Sequence, residues 1–212
     1  MAEGSVVIIG KLADKNGVGF RLLDHHDVET TTAAGSGASM KQTLLLMGWQ
    51  PTTTAGCGDQ EKSEIGTTTK HDFLACPFGS ATAENAFLHH PMPDNWDAGT
   101  VTFRVWWFCK TGYVVTTSDG VAWTLKASSY GDGDAIDATF GTGVTVTDTG
   151  DANNDLNKTA DSAALTIGNS PAAGDMIHWV LTRTVSDAAD DWAADAYPVA
   201  VVVEYGVSAL SS

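Results

Sequence analysis

Gly99-Thr-Val-Thr-Phe-Arg-Val-Trp-Trp-Phe108 and, beyond a Gly-rich turn, Val121-Ala-Trp-Thr-Leu-Lys-Ala127 decide the fold of this chain. In the first run Val101, Phe103, Val105 and Trp107 fall on one side and Thr100, Thr102 and Arg104 on the other, the period of two of a half-buried strand. The second run repeats the rule, with Val121, Trp123, Leu125 and Ala127 opposite Ala122, Thr124 and Lys126. Both strands press large apolar side chains into one core, and the two are expected to pair as a central hairpin. Trp106 and Phe108 break the alternation. Two bulky aromatics on the nominally wet face imply that this face is also covered, by a second sheet, a chain segment or a neighbouring subunit.

Outward from this centre the same pattern recurs. Leu44 to Trp49 reads as a buried strand followed by a long excursion, and Lys70 to Phe78 as a strand ended by Pro77. Thr82 to Pro93 is a short turn or strand, forced into an extended path by Pro91 and Pro93. Further strands are expected at Gly143 to Thr147, Ser162 to Ile167, Gly174 to Arg183 and Tyr197 to Tyr205, where Val199, Val201, Val203 and Tyr205 line up. Asp132 to Asp137 reads as a polar turn, and Ser186 to Asp195 as an acidic loop with room for one helical turn. Upstream, a short apolar strand near the N-terminus, a turn at Asp14-Lys-Asn-Gly17 and a strand from Val18 to Leu23 suggest a hairpin, because Gly17 supplies the positive φ of a tight turn. The small polar tract Thr30 to Ser39 reads as a linker.

The composition agrees with strands. The chain carries 26 Thr and 22 Gly among 212 residues, with no sustained apolar spacing of three and four. The expected architecture is all-β: a jelly-roll-like, two-sheet antiparallel β-sandwich over residues 41–212, with an extended N-terminal arm and linker over residues 1–40.

Eleven Lys plus Arg stand against 26 Asp plus Glu, a net charge of −15. Such a surface disfavours nucleic acid and anionic membrane as partners, since a phosphate backbone needs clustered cations. Acidity concentrates from Trp96 onward, where 15 acids face 5 bases. Cys57, Cys76 and Cys109 are odd in number and widely spaced, which matches neither a zinc signature nor a disulfide framework. The N-terminus has an acidic residue where a signal peptide carries basic ones, and no apolar run is long enough to span a bilayer, so the chain is expected to be made in a cytoplasm.

Few residues suggest chemistry. The pairs His25-His26 and His89-His90 are adjacent, and neighbours on a strand point to opposite faces, so neither pair is expected to chelate one metal alone. Asp148, Asp151, Asn153 and Asp155 offer oxygen ligands at irregular spacing without the glycine and terminal Glu of a calcium-binding helix–loop–helix, and a solvated turn is the simpler reading. Asp187, Asp190, Asp191 and Asp195 around Trp192 suit a capped turn, a cation or a partner's Lys and Arg. No nucleophile motif, metalloprotease helix or phosphate loop is present, so no catalytic, cofactor-binding or metal-ligating residue is assigned and the chain is expected not to be an enzyme. Arg183, the lone base in its strand, is expected to fix a buried or interfacial carboxylate through a bidentate pair. The candidate interface residues are Trp106, Phe108, Arg183 and Trp192.

From Lys70 to Tyr205 the order of short motifs carries a resemblance. Pro93-Asp-Asn-Trp-Asp-Ala-Gly-Thr-Val, the aromatic strand, Val121-Ala-Trp, Gly131-Asp-Gly-Asp, Gly174-Asp-Met-Ile, Leu181-Thr-Arg and Asp195-Ala succeed one another before a final Val-rich strand. This resembles the jelly-roll virion proteins found beside capsid genes in tailed bacteriophages. The resemblance implies a structural role: a capsid decoration (cement) protein on the capsid surface, often a homotrimer, whose partner is the major capsid protein. The alternative is a tail or fibre domain that binds a receptor or glycan, with Trp49, Trp96 or Trp192 stacking on sugars. A carbohydrate-active enzyme with two cleft carboxylates is the remote third.

Overall fold

The computed structural model describes residues 12–14, 17–19, 40–66, 68–110, 119–152 and 154–207. The chain divides into two compact units, Met1–Ala38 and Ser39–Ser212. In the first unit β1 (Leu12–Asp14) pairs antiparallel with β2 (Gly17–Gly19), and Asp14 stands opposite Gly17. That register leaves Lys15 and Asn16, outside the described residues, between the paired strands and puts Gly17 in β2 and not at the turn position expected of it. The apolar strand expected before it, most of the strand from Val18 to Leu23 and the Thr30 to Ser39 tract lie outside the described residues.

The second unit is an all-β, two-sheet antiparallel sandwich. One sheet has five strands in the order β10-β9-β12-β7-β4, formed by Val144–Thr149, Gly120–Tyr130, Met176–Arg183, Glu84–Pro91 and Gln50–Pro51. The other has four in the order β11-β8-β13-β3, formed by Leu156–Lys158, Trp96–Phe108, Tyr197–Val207 and Lys41–Leu46. Six connections, β3–β4, β7–β8, β8–β9, β10–β11, β11–β12 and β12–β13, carry the chain from one sheet to the other, which is the jelly-roll manner of burying alternate side chains from both sheets in one core. That core holds Val101, Phe103, Val105 and Trp107 of β8 against Val121, Trp123, Leu125 and Ala127 of β9, the two faces picked out by their period of two.

The expected central hairpin does not form. β8 pairs with β13 and β11, whereas β9 pairs with β12 and β10, so the two runs face each other across the core. Periodicity identifies which side chains are inward; it does not identify which strand is the hydrogen-bonded neighbour.

Trp106 and Phe108 mark the covered outer face of β8, and for Phe108 the cover is a chain segment. β5 (Glu61–Ile65) and β6 (His71–Ala75) form a separate two-stranded sheet, part of what reads in sequence as an excursion. Ile65, Ala75 and Phe73 pack with Phe108 and Tyr197 in a second apolar cluster. The Phe108 and Tyr197 rings stack at 5.0 Å, and Phe73 approaches Phe108 at 5.4 Å. Val199 joins this outer cluster instead of lining up with Val201 and Val203, because the β13–β8 register shifts between Pro198 and Ala200. A one-residue irregularity sends the following side chains to the other face.

Two further expectations are corrected. Ser162 to Ile167 is not a regular strand: Leu165 bridges Val101, but Ser162 Oγ and Thr159 Oγ1 accept the Phe103 and Val105 N–H groups at 2.9 and 3.0 Å. Side-chain hydroxyls replace part of the ladder. The Ser186 to Asp195 loop contains turns and no helix.

Candidate functional site

Arg183 closes β12 and is fully buried. Its guanidinium is taken up on every side. Nε and an Nη reach the Asp190 carboxylate at 2.9–3.3 Å, and the remaining donors meet the carbonyls of Phe78, Trp192 and Ala194, the first at 2.9 Å and the last at 2.6 Å. The bidentate fork that suits Arg to a carboxylate thus ties the acidic loop to the end of the sheet. Neighbouring acids of this loop are also occupied. Asp190 Oδ2 accepts the Ala122 N–H at 3.1 Å, Asp191 Oδ1 accepts the Gly120 N–H at 2.7 Å and Asp187 Oδ1 accepts the Ala189 N–H at 2.9 Å. The close approach requires Gly120, since a Cβ there would come within 2.5 Å of the Ala189 carbonyl oxygen.

Of the four candidate interface residues, Phe108, Arg183 and Trp192 are buried inside this unit at 2, 0 and 1 % exposure and present no surface to a partner. Trp106 is half-buried on the outer face of β8, with the Lys158 ammonium 5.5 Å above its ring. It alone of the four is reachable. Trp49, Trp96 and Trp192 are each at most 2 % exposed, so none of them offers a stacking platform to a sugar.

An open depression beside the acidic loop is lined by Thr147, Asp148, Thr149, Ala160, Ala189 and Asp191. Its floor is structural as well. Asp148 Oδ2 accepts the Trp107 indole N–H at 2.8 Å, a bond from the five-stranded sheet to the four-stranded one. Burial pushes the Asp148 carboxyl above the usual carboxylate range, and the Trp107 bond only partly opposes this. A raised value means that the folded state holds the proton more tightly than the unfolded chain. Stability is therefore lost as pH rises from the ordinary carboxylate value through the raised one. Asp148→Asn keeps an acceptor for Trp107 without the buried charge. It is expected to melt higher than the parent at pH 7, with the gap closing at a pH below the ordinary carboxylate value, as followed by tryptophan fluorescence. Asn153, expected in this loop, lies outside the described residues. Among the described residues no three His, Cys, Asp or Glu side chains converge as a cation-binding set.

Cys57, Cys76 and Cys109 are buried, and none is in a disulfide. Cys76 Sγ donates to the Trp49 carbonyl at 3.2 Å, while the hydrogen bond that Cys57 donates to the Cys76 sulfur and burial push the Cys57 thiol up, as burial does for Cys109. Cys57 and Cys109 therefore keep their protons and are poor nucleophiles.

Sequence reasoning missed one cluster. His89 does not act with its neighbour His90, whose Nδ1 lies 2.7 Å from the Pro91 carbonyl, but meets His178 on the adjacent strand. The signal for this pair is the register of β7 against β12, which a single sequence does not display.

Compared with protein-family models and with curated proteins, the chain matches none.

Proposed function

We propose that this chain is a non-enzymatic virion protein that decorates and stabilises the outside of a bacteriophage capsid, self-associating as a homotrimer and binding the major capsid protein. The observation that carries this reading is where the motifs of the resemblance lie in the sandwich. Arg183 of Leu181-Thr-Arg anchors a loop, Asp175 of Gly174-Asp accepts Ser129 Oγ and the Ala172 N–H at 2.8 Å each, and Ala196 of Asp195-Ala bridges Phe78. All three serve the framework, as the parts of a scaffold do. A cement protein works by avidity: modest contacts repeated by symmetry resist internal pressure without one strong site. The acidic surface suits a protein facing solvent and not nucleic acid or anionic membrane. Burial of Trp49, Trp96 and Trp192 weighs against the glycan-binding alternative, which relied on those rings.

The test is addition of the purified protein to capsids lacking it, with its mass in solution measured in parallel. Saturable, symmetric decoration that raises the capsid melting temperature is the expected result. Absence of binding to capsids, with retention on host cells or glycans, would overturn the proposal.

A further inference from the structure

His89 on β7 and His178 on β12 are direct cross-strand partners. Nδ1 of His178 and Nε2 of His89 lie 2.7 Å apart, with ring centroids at 4.6 Å and planes inclined by 59°. Two neutral imidazoles at this distance share one hydrogen, one nitrogen donating and the other accepting through its lone pair. Aromatic rings brace the pair. Phe87 stacks on His178 at 5.8 Å and stands edge-on to His89 at 5.4 Å, while Phe140 lies 5.5 Å from His178. His89 is exposed, so solvent reaches the junction.

We infer that His89 and His178 form a two-imidazole site for a borderline divalent cation of the zinc, nickel or copper class, with water filling the remaining positions. Imidazole nitrogen is the ligand these ions share, and hard cations such as calcium prefer oxygen. Adjacent strands hold the two rings side by side, so little is lost in ordering them. Ligand bonds of about 2.0–2.1 Å at a tetrahedral angle separate two nitrogens by roughly 3.3 Å. A small outward turn of the exposed His89 ring opens the observed 2.7 Å to that spacing. The shared hydrogen then moves to a far ring nitrogen, leaving each imidazole neutral with one lone pair on the metal and one N–H outward. Burial, together with the nearby Lys126 ammonium, lowers the His178 pKa. Lys126 is also the charge that opposes an incoming cation, and its ammonium sits 4.7 Å over the Phe140 ring.

The test is titration of the full chain with nickel(II) at neutral pH by calorimetry, in a background where His25 and His26 are replaced by alanine. One saturable equivalent per chain is expected. Losing an outer-shell partner of a metal ligand costs about 10–100-fold in affinity, so removal of a ligand by His89→Ala or His178→Ala is expected to cost at least roughly a hundredfold. His90→Ala, which removes the sequence neighbour, is expected to change nothing, and Lys126→Gln to tighten binding. Both ligand positions lie on an outer face, and circular dichroism verifies that the variants remain folded. Absence of saturable binding, or binding that survives both ligand replacements, would overturn the inference.

Discussion

Arg183→Met is expected to destabilise the sandwich by about 3–5 kcal/mol, the usual cost of removing one partner of a buried ion pair. The guanidinium is 0 % exposed and the Asp190 carboxylate 2 %, so the orphaned acid has no route to water without moving the loop. The loss reaches beyond the ion pair. The carbonyls of Phe78, Trp192 and Ala194 lose the same donor, and a buried polar group deprived of its partner costs roughly 1–3 kcal/mol. A double replacement separates the two contributions. If the pair alone mattered, Arg183→Met with Asp190→Leu would recover nearly all the stability, because apolar residues often replace a buried pair without loss. Since the carbonyls and the Ala122 N–H remain unserved, only partial recovery is expected. Urea denaturation followed by tryptophan fluorescence gives the cycle. A single-variant loss below about 1 kcal/mol would place Arg183 among surface ion pairs in energetic terms and refute its role as the loop's anchor.

The residues that were legible in the sequence are those governed by local period. Val101 to Trp107 and Val121 to Ala127 face one core as their alternation requires, and Arg183 in an acid-rich neighbourhood is paired as the chemistry of a lone guanidinium suggests. Features set by pairing between distant strands were not legible. β8 and β9 have the apolar pattern of hairpin partners and sit in opposite sheets, because the inward faces are the same in either arrangement. Val199 carries the pattern of Val201, and a register shift turns it outward. Glu61 to Ile65 alternates too weakly to announce a strand, yet with β6 it shields Phe108. The His89–His178 pair depends on a register that links positions 89 residues apart. The tryptophans suggested sugar stacking by type alone; their large apolar area is used instead to fill the space between two sheets.

Trp107→Ala is expected to cost a further 3–5 kcal/mol, through the cavity left by a large buried side chain. Trp107 is 0 % exposed and lies where three parts of the fold meet. It belongs to β8, its indole N–H is donated to Asp148 of β10 in the opposite sheet, and its ring stands edge-on to Trp192 of the acidic loop at 5.4 Å. The surroundings cannot collapse cheaply into the gap. Gly150 is already packed so closely that a Cβ there would meet the Trp192 ring at 2.5 Å. Trp107→Phe distinguishes packing from the hydrogen bond. It keeps much of the apolar area and removes the donor, so a smaller loss of about 1–3 kcal/mol is expected. Combined with Asp148→Ala, which removes the acceptor, the effects should be non-additive, since the two side chains are in contact. Additive losses in that cycle would mean that the bond between the sheets contributes nothing and that Trp107 acts only by filling volume. Coupling of the expected sign would identify Trp107–Asp148 as a point where the sandwich resists shear between its layers.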